Sequence, residues 1–247
     1  MARILFVDPV GVPVEEEFKA YLNKAKGKET ELAFQSLKEG PEHLEYRLYE
    51  ALILPELLGI IARAEDDGFE GTIIGCFYDP GLTEAREILK EMAVTAPCES
   101  SLLLASSLGH KFSILVGRRK WIPQVEENIL KYGLERRLAS IRAIGLGVLD
   151  FHRDPDATQN LLVREGEKAI KEDGAEVLIL GCTAQYGFYS KLQNILGVPV
   201  IDVAIAALKH CEYLVEVATN FHWKASKQYA YEPPPPDERL KWGIRWP

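Results

Sequence analysis

Thr72-Ile73-Ile74-Gly75-Cys76 and Leu178-Ile179-Leu180-Gly181-Cys182 are two apolar runs that each end on a Gly-Cys dipeptide, with the cysteines 106 positions apart. The match continues at the same offset: Gly81 meets Gly187, Val94 meets Val200 and Leu108 meets Leu214. A self-match of that reach reads as an internal duplication, in which one structural unit is written twice and equivalent atoms recur in each copy. Around these stretches short apolar runs alternate with longer segments of helical period, the pattern of βαβ units feeding a parallel sheet. The expected fold is therefore α/β: two pseudo-symmetric doubly wound parallel-sheet domains with the active site in the cleft between them.

Strands are expected over Ile4 to Val7, Glu31 to Gln35, Thr72 to Gly75, Phe112 to Val116, Ser140 to Ile144, Val177 to Leu180 and Pro199 to Asp202. Val94 to Ala96 joins them as the repeat partner of the last. Helices are expected over Glu15 to Lys24, His43 to Asp66, Thr83 to Met92, Glu99 to Leu108, Ile122 to Tyr132, Asp156 to Glu172, Tyr189 to Leu196 and Val203 to Val217. Residues 1–98 with 204–221 form the first expected domain, 99–203 the second, and 222–247 a proline-rich tail. Glu232-Pro233-Pro234-Pro235-Pro236-Asp237 reads as extended polyproline, with Trp242 and Trp246 as the side chains that anchor the tail. Docking on its own subunit and docking on a neighbouring one both fit such an arm.

With 247 residues, 47% of them hydrophobic and 27% charged, the composition is that of a soluble globular protein with a substantial core. No apolar run reaches the roughly 18 residues of a membrane helix. Met1-Ala2-Arg3 leads straight into Ile4-Leu5-Phe6-Val7, which reads as a first strand and not a signal peptide, so a cytoplasmic location is expected. A net charge of -8 without a basic cluster argues against nucleic acid. No membrane partner is expected either, and small-molecule chemistry is left.

Four cysteines, Cys76, Cys98, Cys182 and Cys211, are too dispersed for a disulfide framework, and none has zinc-ligand spacing. No metal site is expected. Cys76 and Cys182 each follow a buried strand at its carboxyl end, the ligand-binding edge of open α/β sheets. Turns then lead toward helices, Phe77 to Gly81 after the first cysteine and Thr183 to Gly187 after the second. The preceding glycines read as leaving room for a substrate beside the backbone. A single free cysteine is most often a small core hydrophobe. Two thiols at equivalent strand ends suit instead a reaction that needs a proton acceptor on one face of a carbon and a donor on the other. Cys98 pairs with Ala204 in the repeat and Cys211 lies on an apolar helix face, so both read as core.

Gly75-Cys76-Phe77-Tyr78-Asp79-Pro80-Gly81-Leu82 and Leu180-Gly181-Cys182-Thr183-Ala184 resemble the two cysteine motifs of the aspartate/glutamate/hydantoin racemase superfamily, within it the hydantoin and allantoin racemase branch. Weaker support comes from Gly40-Pro41, Leu44-Glu45, Ala105 to Gly109, Tyr132-Gly133-Leu134, Ile141-Arg142 and Pro199 to Asp202. The resemblance covers nearly everything before the tail. It implies a cofactor-independent racemase, often oligomeric, in which Cys76 and Cys182 abstract and return the proton next to a carbonyl. It also implies that a homo-oligomer is expected here, and that Asp8, Pro9, Val10, Phe77, Tyr78, Thr183, Ala184 and Tyr186 bind the substrate.

Two departures bear on that substrate. The branch opens its first strand loop with Asn-Pro-Asn-Thr, where this chain has Asp8-Pro9-Val10-Gly11; an acidic side chain there disfavours a nearby carboxylate unless it is protonated or hydrogen-bonded. Thr183-Ala184-Gln185-Tyr186 replaces a smaller Ala-Gly-Met, so Tyr186 and Tyr78 are expected to narrow or line the pocket. Glu99 opens a helix and reads as structural, Asp202 as a helix cap, Asp79 as loop scaffold, and His152 as a surface or supporting residue.

The expected function is a racemase or epimerase working by two-cysteine proton transfer at the α carbon of a hydantoin-like or other five-membered cyclic amino-acid derivative. The same fold could serve an Asp/Glu-type amino-acid racemase, a decarboxylase or a cis-trans isomerase. The resemblance implies that decarboxylating relatives keep one of the paired cysteines, which favours racemisation. A two-domain small-molecule binding protein is the non-enzyme alternative, and the matched thiols count against it.

Overall fold

The structure, a computed structural model, describes residues 2–242. Ile4 to Val7 is an unbroken apolar run, fully buried, and it forms the middle of β1 (Ala2–Asp8). A strand buried on both faces has no polar alternation, because helices cover a parallel sheet on each side. β1 pairs in parallel with β2 (Thr30–Ser36) from Ala2↔Thr30 to Asp8↔Ser36, and with β3 (Gly71–Ile74) from Ile4↔Gly71 to Val7↔Ile74. β4 (Ala93–Thr95) adds to β3, giving the order β2-β1-β3-β4.

A second sheet repeats this plan. β5 (Phe112–Val116) lies between β6 (Leu138–Ala143) and β7 (Val177–Leu180), and β8 (Val200–Asp202) completes the order β6-β5-β7-β8. Register carries the duplication down to single residues: Thr72 pairs with Val94 in the first sheet, and Leu178 with Val200 in the second, each 106 positions on. Two parallel-sheet α/β units are thus present, as the repeat implies.

The helices are α1 (Glu16–Ala25), α2 (Arg47–Asp66), α3 (Leu82–Ile88), α4 (Pro97–Leu108), α5 (Ile122–Lys131), α6 (Pro155–Lys171), α7 (Tyr189–Leu196), α8 (Val203–Phe221) and α9 (Pro236–Lys241). Met1–Gly75, Asp79–Ala96 and Leu208–Pro247 form one compact unit. Cys76–Tyr78 and Pro97–Ala207 form the other. Within the first, the Glu212 carboxylate on α8 accepts from the Gly27 amide at 2.6 Å and the Thr30 hydroxyl at 2.7 Å, tying the helix to the entry of β2. Within the second, Arg142 on β6 donates to Asp173 at 2.6 and 2.9 Å and to Glu172 at 2.8 Å.

Three local expectations are corrected. The helix expected from His43 begins only at Arg47, since Tyr46 is extended (φ -123°, ψ 131°). The helix expected to reach Met92 stops at Ile88: the Glu65 carboxylate collects the backbone N–H groups of Lys90, Glu91 and Met92 at 2.6 to 3.0 Å and draws that segment off the helical path. The expected polyproline run gives way to α9 at Pro236, a residue whose fixed φ suits a first helical turn.

The tail packs on its own unit. Lys224 pairs with Glu91, Lys227 donates to the carbonyls of Arg86 and Glu87, and the Arg86 guanidinium sits 5.8 Å from the Tyr231 ring. Trp242 is not the expected anchor, being 83% exposed, and Trp246 lies outside the described residues.

Candidate active site

At both strand ends the ladder runs one residue beyond the strand. Gly75 N–H donates to the Val7 carbonyl at 2.8 Å, and Gly181 N–H to the Leu115 carbonyl at 2.9 Å. A Cβ on Gly75 would lie 2.5 Å from the Phe6 ring; one on Gly181 would lie 2.8 Å from Ile114 Cγ2 and 2.9 Å from Val116 Cγ1. The space beside each glycine is therefore filled by the neighbouring strand. This corrects the expectation that these glycines admit substrate: they are small so that the strand can close against its neighbour and bring the cysteine to the sheet edge.

The chain after Cys76 is held at three points. Phe77 is 3% exposed and sits in the core of the second unit, with Tyr78 packed against the same cluster. Asn128 on α5 donates from Nδ2 to the Tyr78 carbonyl at 2.8 Å. Asp79 is buried with φ 51°, a left-handed conformation that Asp tolerates better than most residues, and Gly81 follows at φ 71° before α3.

The chain after Cys182 forms a tighter turn. Thr183–Gln185 is a 3-10 turn closed by Gln185 N–H to Cys182 O at 3.0 Å and Tyr186 N–H to Thr183 O at 3.2 Å. Asp202 accepts from Gly187 N–H at 3.3 Å and caps α8 through Ala204 and Ile205 at 3.0 and 3.2 Å, as its position at the strand end implies. His152 Nε2 lies 2.9 Å from the Ala184 carbonyl, and its ring packs on Tyr186 and Phe188 at centroid distances of 4.5 and 5.3 Å.

Cys76 and Cys182 are in no disulfide and partly accessible, whereas Cys98 and Cys211 are buried. Burial pushes the Cys211 thiol up to about 12, even though a hydrogen bond with Thr95 acts the other way. A thiol in that state is unreactive near neutral pH, which fits a core role.

Asp8 closes β1 in the first unit. Burial, aided by the nearby charge of Glu15, pushes its carboxyl up to about 7. At that value a large share of the population carries a proton near neutral pH, so the side chain offers an O–H donor and a carbonyl acceptor as an asparagine amide does. Beyond it Pro9 is buried, Val10 O accepts from Leu37 N–H at 3.1 Å, and Gly11 N–H donates to Pro41 O at 2.9 Å. A Cβ on Gly11 would come within 2.3 to 2.7 Å of the Gly40 backbone, so the crossing of the two loops requires glycine.

Cys76, Phe77, Tyr78, Cys182, Thr183, Ala184 and Tyr186 thus belong to one unit, and Phe77, Tyr78, Cys182 and Ala184 share a single packing cluster. Asp8, Pro9 and Val10 belong to the other. Among the described residues no group of three or more His, Cys, Asp or Glu is arranged to hold a metal ion, and no helix is long and apolar enough to cross a membrane. The chemistry on offer is that of two partly accessible thiols on glycine-tight strand ends.

The profile of the Asp/Glu/Hydantoin racemase family matches residues 11–211. The chain belongs to that family. The hydantoin racemase of Pseudomonas sp. (strain NS671) is 36% identical over 206 residues, spanning 83% of this chain and 81% of that protein. The allantoin racemase from Klebsiella pneumoniae superposes with a TM-score of 0.87 at 28% identity, covering 95% of this chain and 94% of that one. The allantoin racemase of Pseudomonas fluorescens gives 0.87 at 29%, covering 95% and 97%. This racemase-family chain is accordingly a hydantoin/allantoin racemase-like enzyme. Asn128 was not legible as a support of the first cysteine loop, since 50 positions separate it from Tyr78 and nothing local marks it. His152 carried a weak signal as a lone histidine beside charged residues.

Proposed function

We propose that this enzyme racemises a five-membered cyclic ureide or related amino-acid derivative, with Cys76 and Cys182 as the acid/base pair. The observation that carries the reading is that the two partly accessible thiols end equivalent strands of a duplicated sheet, in the same register, within a family of racemases. One thiolate removes the proton from the carbon next to the ring carbonyl. The electron pair left behind delocalises onto that carbonyl as an enolate. The other cysteine then gives its S–H proton to the opposite face, which inverts the centre and leaves a thiolate in its place. Proton and charge balance without any oxidant or reductant.

Asp8, Pro9 and Val10 are proposed to bind substrate from the carboxyl end of β1. A protonated Asp8 removes the objection raised by an acidic residue in place of asparagine, because the neutral acid can both donate to and accept from an amide edge. Thr183, Ala184, Tyr78 and Tyr186 are proposed to border the substrate on the cysteine side. Phe77, expected among the substrate contacts, is buried in the core of its unit and enters the proposal instead as the anchor of the Cys76 loop.

The test is to incubate enantiopure 5-substituted hydantoins and allantoin with the purified protein and follow circular dichroism at the substrate's absorption band. The signal is expected to decay to zero with no change in total absorbance. A constant signal for every ureide, with free aspartate or glutamate racemising instead, would place the enzyme in the amino-acid branch.

A further inference from the structure

The turn that carries Cys182 is tied to other segments of its own unit. Its 3-10 segment has two short-range backbone bonds, and the Gln185 side chain inside it is fully buried with neither its oxygen nor its nitrogen paired. A buried amide without partners costs about 1–3 kcal/mol, so the turn's conformation depends on contacts from outside it. One is Asp202, through Gly187. Another is His152, from the loop between β6 and α6.

That loop is itself fixed on both sides of the histidine. Phe151 is fully buried, meets Trp121 edge to face at 6.3 Å, and its carbonyl accepts from the Thr158 hydroxyl at 2.8 Å. Asp154 caps α6 by accepting from Ala157 N–H at 3.0 Å. With both backbone neighbours tied, the imidazole starts from a restricted position. Because the Ala184 carbonyl can only accept, Nε2 must carry the hydrogen in the 2.9 Å bond. The ring lies nearly parallel to Phe188, at 26°, and tilted 35° to Tyr186, so it also clamps the aromatic pair that follows the turn.

We infer that His152 is a positioning residue for the second thiol: by donating from Nε2 to Ala184 O and packing on Tyr186 and Phe188, it fixes the turn that aims Cys182. This inference rests on the two-thiol reading for its catalytic consequence, and on geometry alone for its structural one. Residues that orient a reacting group without touching substrate act mainly through kcat, typically with losses of about 10–100-fold.

Two substitutions separate the hydrogen bond from the packing. His152→Gln keeps an N–H donor of similar reach and loses the ring; His152→Phe keeps the ring and loses the donor. The readouts are kcat and KM for the racemised substrate, and the ratio of iodoacetamide alkylation rates at Cys182 and Cys76, measured by peptide mass spectrometry in the substrate-free enzyme. The inference expects His152→Phe to lower kcat about 10-fold or more with KM within about threefold, and to shift the alkylation ratio at least about threefold. His152→Gln, which keeps the donor and loses the ring contacts, is expected to fall between the parent and His152→Phe in both. A His152→Phe enzyme with parental kcat and parental alkylation ratio overturns it, as does a His152→Gln enzyme that loses as much as His152→Phe. The alkylation ratio needs no turnover, so it tests the latch even where the parent racemises nothing, an outcome that would instead sink the proposed function.

Discussion

Gly75 shows how much a single hydrogen atom decides. A methyl group there would press on the Phe6 ring from 2.5 Å, and Phe6 is fully buried in the sheet core. Gly75→Ala is expected to cost about 1–3 kcal/mol in urea unfolding, and Phe6→Leu in the same chain to return part of it; additive losses would show that the two positions do not meet. Asp8 makes a prediction in pH. Its folded-state value of about 7 lies above the ordinary 3.8, so the folded protein holds a proton that the unfolded chain releases between those limits. The stability this proton contributes is complete below about pH 4 and is lost as pH rises through about 7. The residue keeps some surface open to solvent, which limits the effect to about 1–2 kcal/mol. Comparing urea midpoints of the parent and Asp8→Asn at about pH 5 and about pH 8, the parent should lose stability relative to the variant on going up. At this scale the sequence showed both cysteines and both glycines; it misassigned the glycines because the atoms that crowd them come from β1 and β5, far away in the chain.

Among the elements, strands were the most legible, since a buried parallel strand is an uninterrupted apolar run and the repeat marked its equivalents twice. Helix ends were less so. α3 stops because a carboxylate on α2 takes the amides of residues 90–92, a contact that no local pattern announces. Glu65→Ala is therefore expected to destabilise by about 1–2 kcal/mol and to raise hydrogen exchange at Lys90 to Met92. The Cys76 loop depends in the same way on α5. Asn128→Asp has the same size but cannot donate to the Tyr78 carbonyl when ionised, so it is expected to lower kcat several-fold with a small change in melting temperature. Unchanged kcat would mean that the loop is held without the bond from Asn128.

For the molecule as a whole, the duplication was readable because two copies at a fixed offset reinforce one another. The tail had no second copy to support it, and its docking was left open. Its observed route over α3 is set by Lys224, Lys227 and Tyr231. Long-range ties also set the acid limit of stability. Burial works to raise the Glu212 carboxyl, but hydrogen bonds from Lys209, Thr30 and Gly27 outweigh it and hold the group below its ordinary 4.5. The stability it contributes is present above that value and is lost as pH falls through the lower folded value. Glu212→Gln should therefore lower the melting temperature at neutral pH, by an amount that shrinks as pH falls below about 4.5.

Two thiols serving one carbon is the central claim, and deuterium exchange at that carbon tests it most directly. In deuterated buffer each enantiomer of a racemised substrate is offered separately to the parent, to Cys76→Ser and to Cys182→Ser. The account predicts that the parent delivers deuterium to the inverted product from either enantiomer. Each variant should lose racemisation and exchange only one enantiomer, a different one for each. Parental racemisation by either variant, or exchange of the same enantiomer by both, would contradict it.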